Sequence, residues 1–343
     1  MTSTLKKALY SGMRVASWAY LGLLLVWLTA FLLTGDRFVF IALVNYLAVY
    51  LFFPLPLVLF VALLCKQREL WIGFSLGAIA FLLLWGSLFM PNLKRLSPAE
   101  PTLTVMTYNV LAWHQFNEAV LKTIRAEEPE IVLLQELNRS LAQALETELG
   151  KEYPYQVLEP VDNPTGIGVI SKYPIHPTGE RLPLRWVGGP QVLELLWNGE
   201  KVKLVNFHMY PTTSLGPADV VKASIRLREA EAHLLADLAH RSGLAIMGGD
   251  ANSAPLSESY RILTSELQDA WHPAGFGLGH TFPGSTIPGS DRPRLGSWYV
   301  PPWLVRIDYV FHSADWVTLS ARLARFDGVS DHRGVIAVLK LKD

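Results

Sequence analysis

The sequence predicts an α/β domain that follows a membrane region of three apolar helices. Three runs without any charged residue fill most of the first 93 positions of the 343-residue chain. From Leu103 onward, short β-rich segments alternate with helical patterns, which is typical of α/β proteins. Only 17% of the residues are charged, whereas about a quarter is usual in soluble proteins. These values exclude a disordered or a disulfide-stapled chain.

The predicted membrane region covers residues 1–90, with spans at about 15–35, 38–65 and 70–90. Each run is long enough, because about 20 apolar residues cross the ~30 Å hydrocarbon layer of a bilayer. Pro54 and Pro56 interrupt the middle run, so we expect one kinked or tilted crossing there. A cleaved signal peptide is a poor alternative for the first run, because two more spans follow it.

The charges that flank the spans predict the side on which the domain lies, because Lys and Arg tend to remain in the cytoplasm. With the N-terminus inside, five basic residues flank the spans on the inner side and three on the outer side. This bias places the C-terminal domain on the non-cytoplasmic side. The single cysteine, Cys65, ends the second run, so no disulfide can form within the chain.

Residues 91–102 are predicted to form a linker, because this proline-rich stretch of mixed charge has no periodicity. Residues 103–343 form the predicted domain. From residue 96 onward the chain contains 22 basic and 28 acidic residues, a net charge of −6. This balance argues against a dedicated duplex nucleic-acid binder, which usually carries an overall basic charge.

The elements of the domain are predicted in order along the chain. The predicted strands are 103–110, 130–136, 166–172, 191–197, 201–208, 243–250, 306–313, 317–326 and 332–341. A helix is predicted over 116–129 and a longer one over 219–239. Asn198 and Gly199 predict a hairpin turn between two strands. Residues 273–303 are rich in Gly and Pro, and an irregular region of that length is usually functional or mobile.

Polar side chains collect at the ends of the apolar strands. They are Asn109, Glu136, His208, Asp250, Asn252, Asp308, Asp331 and His332. Taken singly, a strand-terminal Asn or Asp most often caps a helix or makes a turn. Glu136 and Asp308 fit that explanation poorly, because a carboxylate in an apolar strand is costly unless it is paired or binds a metal. The accumulation therefore predicts a catalytic site.

Seven segments carry a family resemblance: TYNV, LLQEL, GIGVISKYPI, VNFHMYP, GGDANSAP, RIDYVF and SDHRGV. In this order they resemble the motifs of the endonuclease/exonuclease/phosphatase superfamily, the deoxyribonuclease I-like fold, over about residues 103–341. The apolar N-terminus and the HTFPG segment at 280–284 are similar to membrane-anchored bacterial members, which implies a bacterial inner or plasma membrane. The resemblance implies a four-layer α/β sandwich of two mixed sheets flanked by helices, with the active site at one edge.

The resemblance also implies a divalent metal, Mg²⁺ or Mn²⁺. Glu136, helped by Asn109, resembles the metal-binding carboxylate, and Asp331 looks like a second acidic ligand of the metal or of its water. Hard oxygen ligands suit these cations, which neutralise the negative charge of a phosphodiester. The chain departs from the family at Ala251, where relatives often carry a bulky apolar residue.

The remaining catalytic roles follow from the same resemblance. His332 is similar to the histidine that acts on the attacking water, with Asp308 as the carboxylate that orients it. Asp250 and Asn252 match the pair that contacts the nucleophile, the phosphate or both. His208 resembles the histidine that hydrogen-bonds a phosphate oxygen or assists the leaving group. An imidazole paired with a buried carboxylate is held in one tautomer and suits proton transfer near neutral pH.

The long irregular region supplies the candidate substrate-binding residues, which are Arg292, Arg294, Trp298 and Tyr299. One interpretation is a lip that grips phosphate with arginine and stacks on bases or enters lipid headgroups with its aromatic rings. The alternative is a surface loop that packs on its own aromatic residues.

Three functions remain open at this point. A membrane-anchored phosphoesterase acting on a lipid headgroup or another small phosphoester is favoured by the membrane region and the net negative charge. A deoxyribonuclease I-like nuclease acting on nucleic acid is the second hypothesis. A catalytically silent membrane scaffold is disfavoured, because all the expected catalytic positions are filled. The expected partners are the lipid bilayer and the phosphoester substrate, and the sequence gives no sign of an obligate protein partner.

Overall fold

The structure is a computed structural model that describes residues 3–90, 101–113, 116–211, 217–284, 294–295 and 297–342. It divides the chain into two units, Met1–Met90 and Pro91–Asp343. Residues 91–100, most of the predicted linker, lie outside the described residues.

The first unit is helical. Its helices are α1 (Ser3–Thr34), α2 (Val39–Tyr46), α3 (Leu55–Cys65) and α4 (Arg68–Trp85). Among the described residues, three stretches are long and apolar enough to cross a membrane: Thr4–Thr34, Ala48–Cys65 and Arg68–Phe89. The predicted middle run is divided, because α2 ends at Tyr46, a 3-10 turn follows, and α3 starts after Pro54. Pro54 is the N-cap of α3 and Pro56 lies in its first turn, where proline is tolerated because the N–H would have no partner within the helix.

A buried polar chain joins α1 to α2 within this unit. The Trp27 indole N–H donates to Oδ1 of Asn45 at 3.1 Å, and the Asn45 amide donates to Oδ1 of Asp36 at 2.7 Å. All three side chains are buried, and buried polar groups are costly unless they are hydrogen-bonded. The hydrogen bonds therefore fix the packing of the short helix α2 against α1.

The second unit is an α/β domain. Its strands are β1 (Leu103–Asn109), β2 (Ile131–Gln135), β3 (Tyr155–Glu159), β4 (Ile167–Ser171), β5 (Ile175–Pro177), β6 (Gly188–Trp197), β7 (Glu200–His208), β8 (Ala245–Asp250), β9 (Gln268–Asp269), β10 (Arg294–Leu295), β11 (Trp298–Tyr299), β12 (Asp308–His312), β13 (Trp316–Leu323) and β14 (Val335–Leu341). Its helices are α5 (Asn117–Glu127), α6 (Arg139–Leu149), α7 (Ala218–His240), α8 (Glu258–Glu266) and α9 (Trp271–Ala274).

Two six-stranded mixed sheets form the centre of the domain. The first sheet has the order β13-β14-β1-β2-β4-β3, and the second has the order β5-β6-β7-β8-β12-β9. Each contains one parallel pair, β1 with β2 and β7 with β8, and its other pairs are antiparallel. The carboxyl ends of a parallel pair and the start of an antiparallel neighbour meet at one edge of a sheet. In both sheets that edge carries the predicted polar residues.

The two sheets pack face to face, with helices on their outer faces. A Cβ atom on Gly248 of β8 would lie 2.6 Å from the Leu133 side chain of β2, so the absence of a side chain at this position accommodates Leu133. Apolar residues of α5 and α6 form one buried cluster with the outer face of the first sheet. Residues of α7 and α8 form a second cluster with the other sheet. The predicted four-layer sandwich is thereby confirmed.

Most predicted elements are present, and a few were missed. The helices predicted at 116–129 and 219–239 are α5 and α7. Helices α6 and α8 and the edge strands β3 and β5 were not predicted from the sequence. The region 273–303 is not wholly irregular, because it contains the hairpin of β10 and β11 and lies next to the short helix α9.

Candidate active site

All eight predicted polar residues lie at the same edges of the two sheets. Asn109 ends β1, and Glu136 follows β2. His208 and Asp250 end the parallel strands β7 and β8, and Asp308 begins β12. Asn252 follows β8 by two residues, while Asp331 and His332 precede β14.

His332 and Asp308 form a buried pair. Nδ1 of His332 lies 2.8 Å from Oδ2 of Asp308, and both residues are buried, at 4% and 0% exposure. With its N–H at Nδ1, the ring presents Nε2 at 3.7 Å from Asp250 Oδ2 and 3.9 Å from Asp331 Oδ1. The Phe282 ring packs on the imidazole, with ring centroids 4.9 Å apart. The imidazole is thus fixed in orientation, with one nitrogen committed and the other directed at carboxylates.

The surrounding carboxylates control the charge of His332. Burial alone lowers the pKa of His332, but the negative charges of Asp308, Asp250 and Asp331 outweigh burial and raise it well above 6.5. Burial raises the pKa of Asp250 to about 6, and the neighbouring charge of Asp308 acts in the same direction. The cluster therefore contains more negative charge than the His332 imidazole alone offsets.

Asp250 is the most connected carboxylate of the site. Its Oδ1 accepts the backbone N–H of Asn252 at 2.8 Å. Its Oδ2 accepts the Asn109 amide at 3.2 Å and lies 3.5 Å from Nε2 of His208. Asn252 adopts a left-handed backbone, with φ 47°, and its amide donates to the Met209 carbonyl at 3.0 Å. Asp250 thus joins residues of both sheets.

Glu136 is held in a strained position beside Asn109. Its Oε1 accepts the Asn109 amide and its Oε2 accepts the backbone N–H of Ala112, both at 3.1 Å. Its φ of 60° is left-handed, which is uncommon for a residue other than Gly, Asn or Asp. Such strain persists where the surroundings over-determine it and clusters at functional sites.

Asp331 lies beside His332 at the rim of this edge. Its side chain is 15% exposed. Burial raises its pKa to about 6, with a further increase from the charge of Glu136 and an opposing effect from His332. Glu136 and Asp331 are therefore close enough to repel each other, and such a pair of carboxylates fits a divalent cation.

The tightest group of candidate ligands differs from the predicted metal set. Among the described residues, ligand atoms of Asp250, Asp308 and His332 all lie within 4.8 Å of one another. This group contains none of the predicted ligands Glu136, Asn109 and Asp331. Oδ1 of Asp308 is buried and has no hydrogen-bond partner among the residues that the structure describes. The ligand set of the predicted metal stays a prediction.

Two supporting residues were missed by the sequence analysis. Ser330, fully buried, donates from Oγ to the Asn109 carbonyl at 2.7 Å and accepts the His332 N–H at 3.0 Å. Thr281, also fully buried, accepts the backbone N–H of Ile307 at 3.1 Å. Both residues lie in segments that carry the family resemblance, Ser330 in SDHRGV and Thr281 in HTFPG, and this was the sequence feature that indicated them.

A buried polar network also links the two sheets behind the site. Gln135 donates from its amide to Oδ1 of Asn206 at 2.7 Å and to Thr107 Oγ1 at 3.2 Å. Asn206 in turn donates to the carbonyls of Leu134 and Gly168. Because Thr107 and Gln135 belong to the first sheet and Asn206 to the second, this network fixes the spacing of the sheets.

The candidate substrate-binding residues are only partly described. Arg292 lies outside the described residues. The Arg294 guanidinium stacks 4.2 Å from the Tyr299 ring centroid and hydrogen-bonds its hydroxyl, while Trp298 is 80% exposed. The loop begins beside the site, because the N–H of Gly284 donates to the Asp331 carbonyl at 2.7 Å. Substrate binding by Arg294, Trp298 and Tyr299 stays a prediction.

Solved structures share the fold of this domain. D. rerio TDP2 complexed with single strand DNA product is 14% identical with a TM-score of 0.54, over 70% of this chain and 100% of that chain. An endonuclease/exonuclease/phosphatase from Bacteroides vulgatus is 18% identical with a TM-score of 0.51, over 71% and 100%. One from Beutenbergia cavernae is 20% identical with a TM-score of 0.50, over 70% and 72%. At these identities the likeness establishes the fold alone.

Sequence comparison with whole families gives the stronger assignment. None of the curated proteins matches this chain. The profile described as Endonuclease/Exonuclease/phosphatase family matches residues 106–332, which is more than half of the chain and nearly the whole α/β domain. Family membership carries the reaction class, hydrolysis of phosphoric esters with a divalent metal. The chain accordingly belongs to the endonuclease/exonuclease/phosphatase family and is a phosphoric ester hydrolase.

Proposed function

We propose that this chain is a membrane-anchored phosphodiesterase that uses Mg²⁺ or Mn²⁺ and hydrolyses a lipid headgroup or another small phosphoester by attack of water. The pair of His332 and Asp308 carries the proposal. With Nδ1 bound to Asp308 at 2.8 Å, Nε2 of His332 is the nitrogen left for chemistry. A buried carboxylate that fixes the tautomer of an imidazole is a recurrent device for proton transfer.

Glu136 and Asp331 would hold the cation through their carboxylate oxygens, which these cations prefer. Asn109 would help by donating its amide N–H to Glu136 at 3.1 Å, while its Oδ1 accepts the Leu111 N–H. The group of Asp250, Asp308 and His332 suits the cation less, because Nδ1 of His332 is bound to Asp308 and a cation on Nε2 would occupy the nitrogen that takes the proton. When bound, the cation neutralises the negative charge of the phosphodiester and polarises its oxygen atoms. The raised pKa of Asp331, caused by burial and by Glu136, supports a site that lacks a counter-charge.

His332 is the residue that takes a proton from the attacking water at Nε2. Asp308 then stabilises the imidazolium through the Nδ1 hydrogen bond. Without a cation, the three carboxylates keep His332 protonated, because their charges raise its pKa. A positive charge beside Glu136 and Asp331 would lower the pKa of His332 again, so that the neutral ring is populated near neutral pH.

Asp250, Asn252 and His208 act on the water and the phosphate. Asp250 holds the Asn252 backbone through a 2.8 Å hydrogen bond, which keeps the Asn252 amide beside the carboxylate cluster. Nε2 of His208 faces Asp250 at 3.5 Å, and in its protonated form this ring donates to a phosphate oxygen or the leaving oxygen. Fixed donors of this kind stabilise charge that develops in the transition state.

A lipid or small substrate is favoured by the three apolar stretches and by the net charge of −6 beyond residue 95. Nucleic acid is the second candidate. Its support is the exposed Trp298 beside the stacked Arg294 and Tyr299, since aromatic rings and arginine bind single strands by stacking. The silent scaffold is disfavoured by the complete set of polar residues at the sheet edges.

We also propose that the domain lies on the non-cytoplasmic side of a bacterial inner or plasma membrane, from the excess of basic residues predicted to flank the inner side. Protease protection in right-side-out and inverted vesicles tests this sidedness. Digestion of the domain only in inverted vesicles would overturn it.

Turnover by the full chain in nanodiscs tests the function. The substrates are bis(p-nitrophenyl) phosphate, a single-stranded oligonucleotide and mixed phospholipid vesicles, each with Mg²⁺, Mn²⁺ or EDTA. We expect metal-dependent hydrolysis that is lost in Glu136→Gln and in His332→Gln and kept in Glu258→Gln, which alters a carboxylate on α8. Preference for vesicles supports the lipid substrate, and preference for the oligonucleotide overturns it. Metal-independent activity, or full activity of the His332 variant, would contradict the mechanism.

A further inference from the structure

A groove of about 450 Å³ runs along the edge of the sandwich, between β3 of the first sheet and β6 of the second. Its outer wall is formed by residues of the segment 177–186, which connects β5 to β6. At one end lies Gly189, and the preceding Gly188 pairs in register with His208. The groove therefore begins directly beside the candidate active site.

The groove carries two uncommitted positive charges. Arg181 and Arg185 line it and are exposed, and neither forms an ion pair with any residue in the part of the chain that the structure describes. Their positive charge stands out because the domain as a whole is negatively charged. A guanidinium group binds a phosphate through two parallel hydrogen bonds.

The carboxylates that line the groove are already engaged. Glu180 forms ion pairs with Lys203 at 3.7 Å and with Arg241. Glu159 accepts a hydrogen bond from the Gln191 amide at 3.1 Å. They are therefore not the partners of the two arginines, and the groove remains suited to an anion.

Hydrogen bonding and packing hold the outer wall of the groove in place. The Trp186 indole donates to the Pro183 carbonyl at 2.9 Å, and Trp186 and Leu182 pack against the core cluster of the second sheet. Leu184 is 51% exposed and has a φ of 84°. A left-handed leucine is a strained residue, and such strain clusters where ligands are held.

Two adjacent glycines shape the junction between the groove and His208. A Cβ atom on Gly188 would lie 3.2 Å from the Thr165 carbonyl oxygen and 3.6 Å from Cβ of His208, whereas a Cβ on Gly189 would meet nothing within 4 Å. The β6–β7 register shifts between Gly188 and Gln191, which leaves Gly189 outside the regular ladder. Gly189 therefore leaves open space at the end of the groove that lies beside the catalytic edge.

We propose that this groove is a substrate subsite that binds a second phosphate group through Arg181 and Arg185. The inference rests on the proposed function and narrows its substrate class to phosphodiesters that carry a further phosphate beyond the bond that is cleaved. The groove follows β6 over residues 189–193, a distance of roughly 13 Å at 3.3 Å per residue. That length takes a spacer such as one sugar ring between the two phosphates, with Leu184 and Trp186 packing against it.

Equilibrium binding tests the subsite without requiring turnover. Calorimetry on the full chain in nanodiscs compares thymidine 3′,5′-bisphosphate with thymidine 5′-monophosphate. We expect the bisphosphate to bind about tenfold more tightly, as one additional charge-assisted phosphate contact predicts. The double variant Arg181→Gln/Arg185→Gln loses this preference, and Arg261→Gln, an exposed arginine of α8, keeps it. Equal affinities in the unmodified chain, or an unchanged preference in the double variant, would overturn the subsite.

Kinetics separate this proposal from the proposed function. In the double variant, kcat/KM falls for the 5′-p-nitrophenyl ester of thymidine 3′,5′-bisphosphate and is unchanged for bis(p-nitrophenyl) phosphate, which has no second phosphate. Gly189→Leu should give the same pattern, because its side chain would occupy the space beside Gly189, where a Cβ atom meets nothing within 4 Å. Loss of activity on both substrates contradicts the subsite. Absence of metal-dependent turnover in the unmodified chain contradicts the proposed function and leaves the binding experiment decisive.

The second phosphate has two possible sources, a nucleotide strand or a phosphorylated lipid headgroup. Vesicles that contain phosphatidylinositol 4-phosphate and a 5-nucleotide DNA strand distinguish them. If the double variant hydrolyses only one of these substrates more slowly than the unmodified chain does, that substrate is the source of the second phosphate. A rate that is independent of the arginines for both overturns the subsite.

Discussion

Asp250 and Asp308 lie directly opposite each other in the antiparallel pair of β8 and β12. Like charges at such positions repel, and both carboxylates are buried, at 1% and 0% exposure. His332 offsets part of the repulsion, since it lies 2.8 Å from Asp308 and 3.7 Å from Asp250. The sheet register thus places two acids and one imidazole together at a cost in stability, which a catalytic role justifies.

The substitution Asp250→Asn should raise the stability of the domain and lower its activity. The substitution removes the repulsion by Asp308 and the burial of a charge whose pKa is raised to about 6. We expect a higher Tm in EDTA at pH 8 and a fall in kcat of about 100-fold or more, as for loss of a proton-transfer or positioning group. Scanning calorimetry and bis(p-nitrophenyl) phosphate turnover measure the two effects. Asp237→Asn on the exposed face of α7 should change neither, and a lower Tm for Asp250→Asn would contradict the argument.

Divalent cations should stabilise the fold through Glu136. Ligands that bind only the native state raise stability by mass action, by about 2.7 kcal/mol at 100 times Kd. We expect Mg²⁺ or Mn²⁺ to raise the Tm of the unmodified chain, and Glu136→Gln to reduce that increase strongly, because an amide replaces the charged ligand. An equal increase in Tm for the two proteins would show that Glu136 does not hold the cation.

Glu231 makes the stability of the domain depend on pH. It is fully buried in α7, accepts the Tyr210 N–H at 2.9 Å, and burial raises its pKa from 4.5 to about 8. The folded chain therefore binds more protons than the unfolded chain between pH 4.5 and 8, so stability decreases as the pH rises through that window. Glu231→Gln should leave the Tm at pH 5 nearly unchanged and raise it at pH 9. Parallel Tm curves for the two proteins from pH 5 to 9 would refute this.

Trp298 tests whether the hairpin of β10 and β11 contacts large substrates. Its side chain is 80% exposed, so Trp298→Ala should leave the fold intact. If the hairpin is a lip, the variant turns over bis(p-nitrophenyl) phosphate normally and loses about fivefold or more on an oligonucleotide or on vesicles, as expected when one stacking contact is removed. An unchanged rate on both large substrates would support the alternative of a loop that packs on itself.

The location of the site was predictable because the edge of each sheet can be inferred from the sequence. Asn109, His208 and Asp250 end strands that pair in parallel, and polar residues at such ends meet wherever the strands pair. The pairing partners themselves were not predictable, because the register of Asp308 opposite Asp250 depends on contacts between segments that are distant along the chain. The approach of His332 to Asp250 also needed the three-dimensional structure.

The missed features have physical reasons as well. Helix α6 starts at an Asn N-cap, where the Asn138 side chain accepts the Leu141 N–H at 2.8 Å, but a strand-terminal Asn is equally typical of a turn. Glu231 lies in a helix that contains many exposed polar residues, so the sequence does not distinguish this buried carboxylate from the exposed ones. Ser330 is a small hydroxyl residue in a turn, a position that normally faces water.

Ser330→Ala tests whether that hydroxyl positions His332. Ser330 links the end of β1 to the turn before β14, through the Asn109 carbonyl at 2.7 Å and the His332 N–H at 3.0 Å. Ser313 is a matched control, because it also bridges two segments, accepting the Ala245 N–H at 3.1 Å and donating to Asp315 at 3.1 Å, but at the opposite end of β12. Each alanine variant should lose about 1 to 2 kcal/mol of stability.

Only Ser330→Ala should lower kcat, by about tenfold, with KM little changed, because a small displacement of an aligned catalytic group slows the reaction without weakening substrate binding. The pH dependence of kcat should shift as well, since Asp308 and Asp250 set the pKa of His332 through distances that Ser330 maintains. Steady-state kinetics from pH 5 to 9 measure both effects. Equal losses of kcat in the two serine variants, with unshifted pH profiles, would mean that Ser330 contributes stability alone.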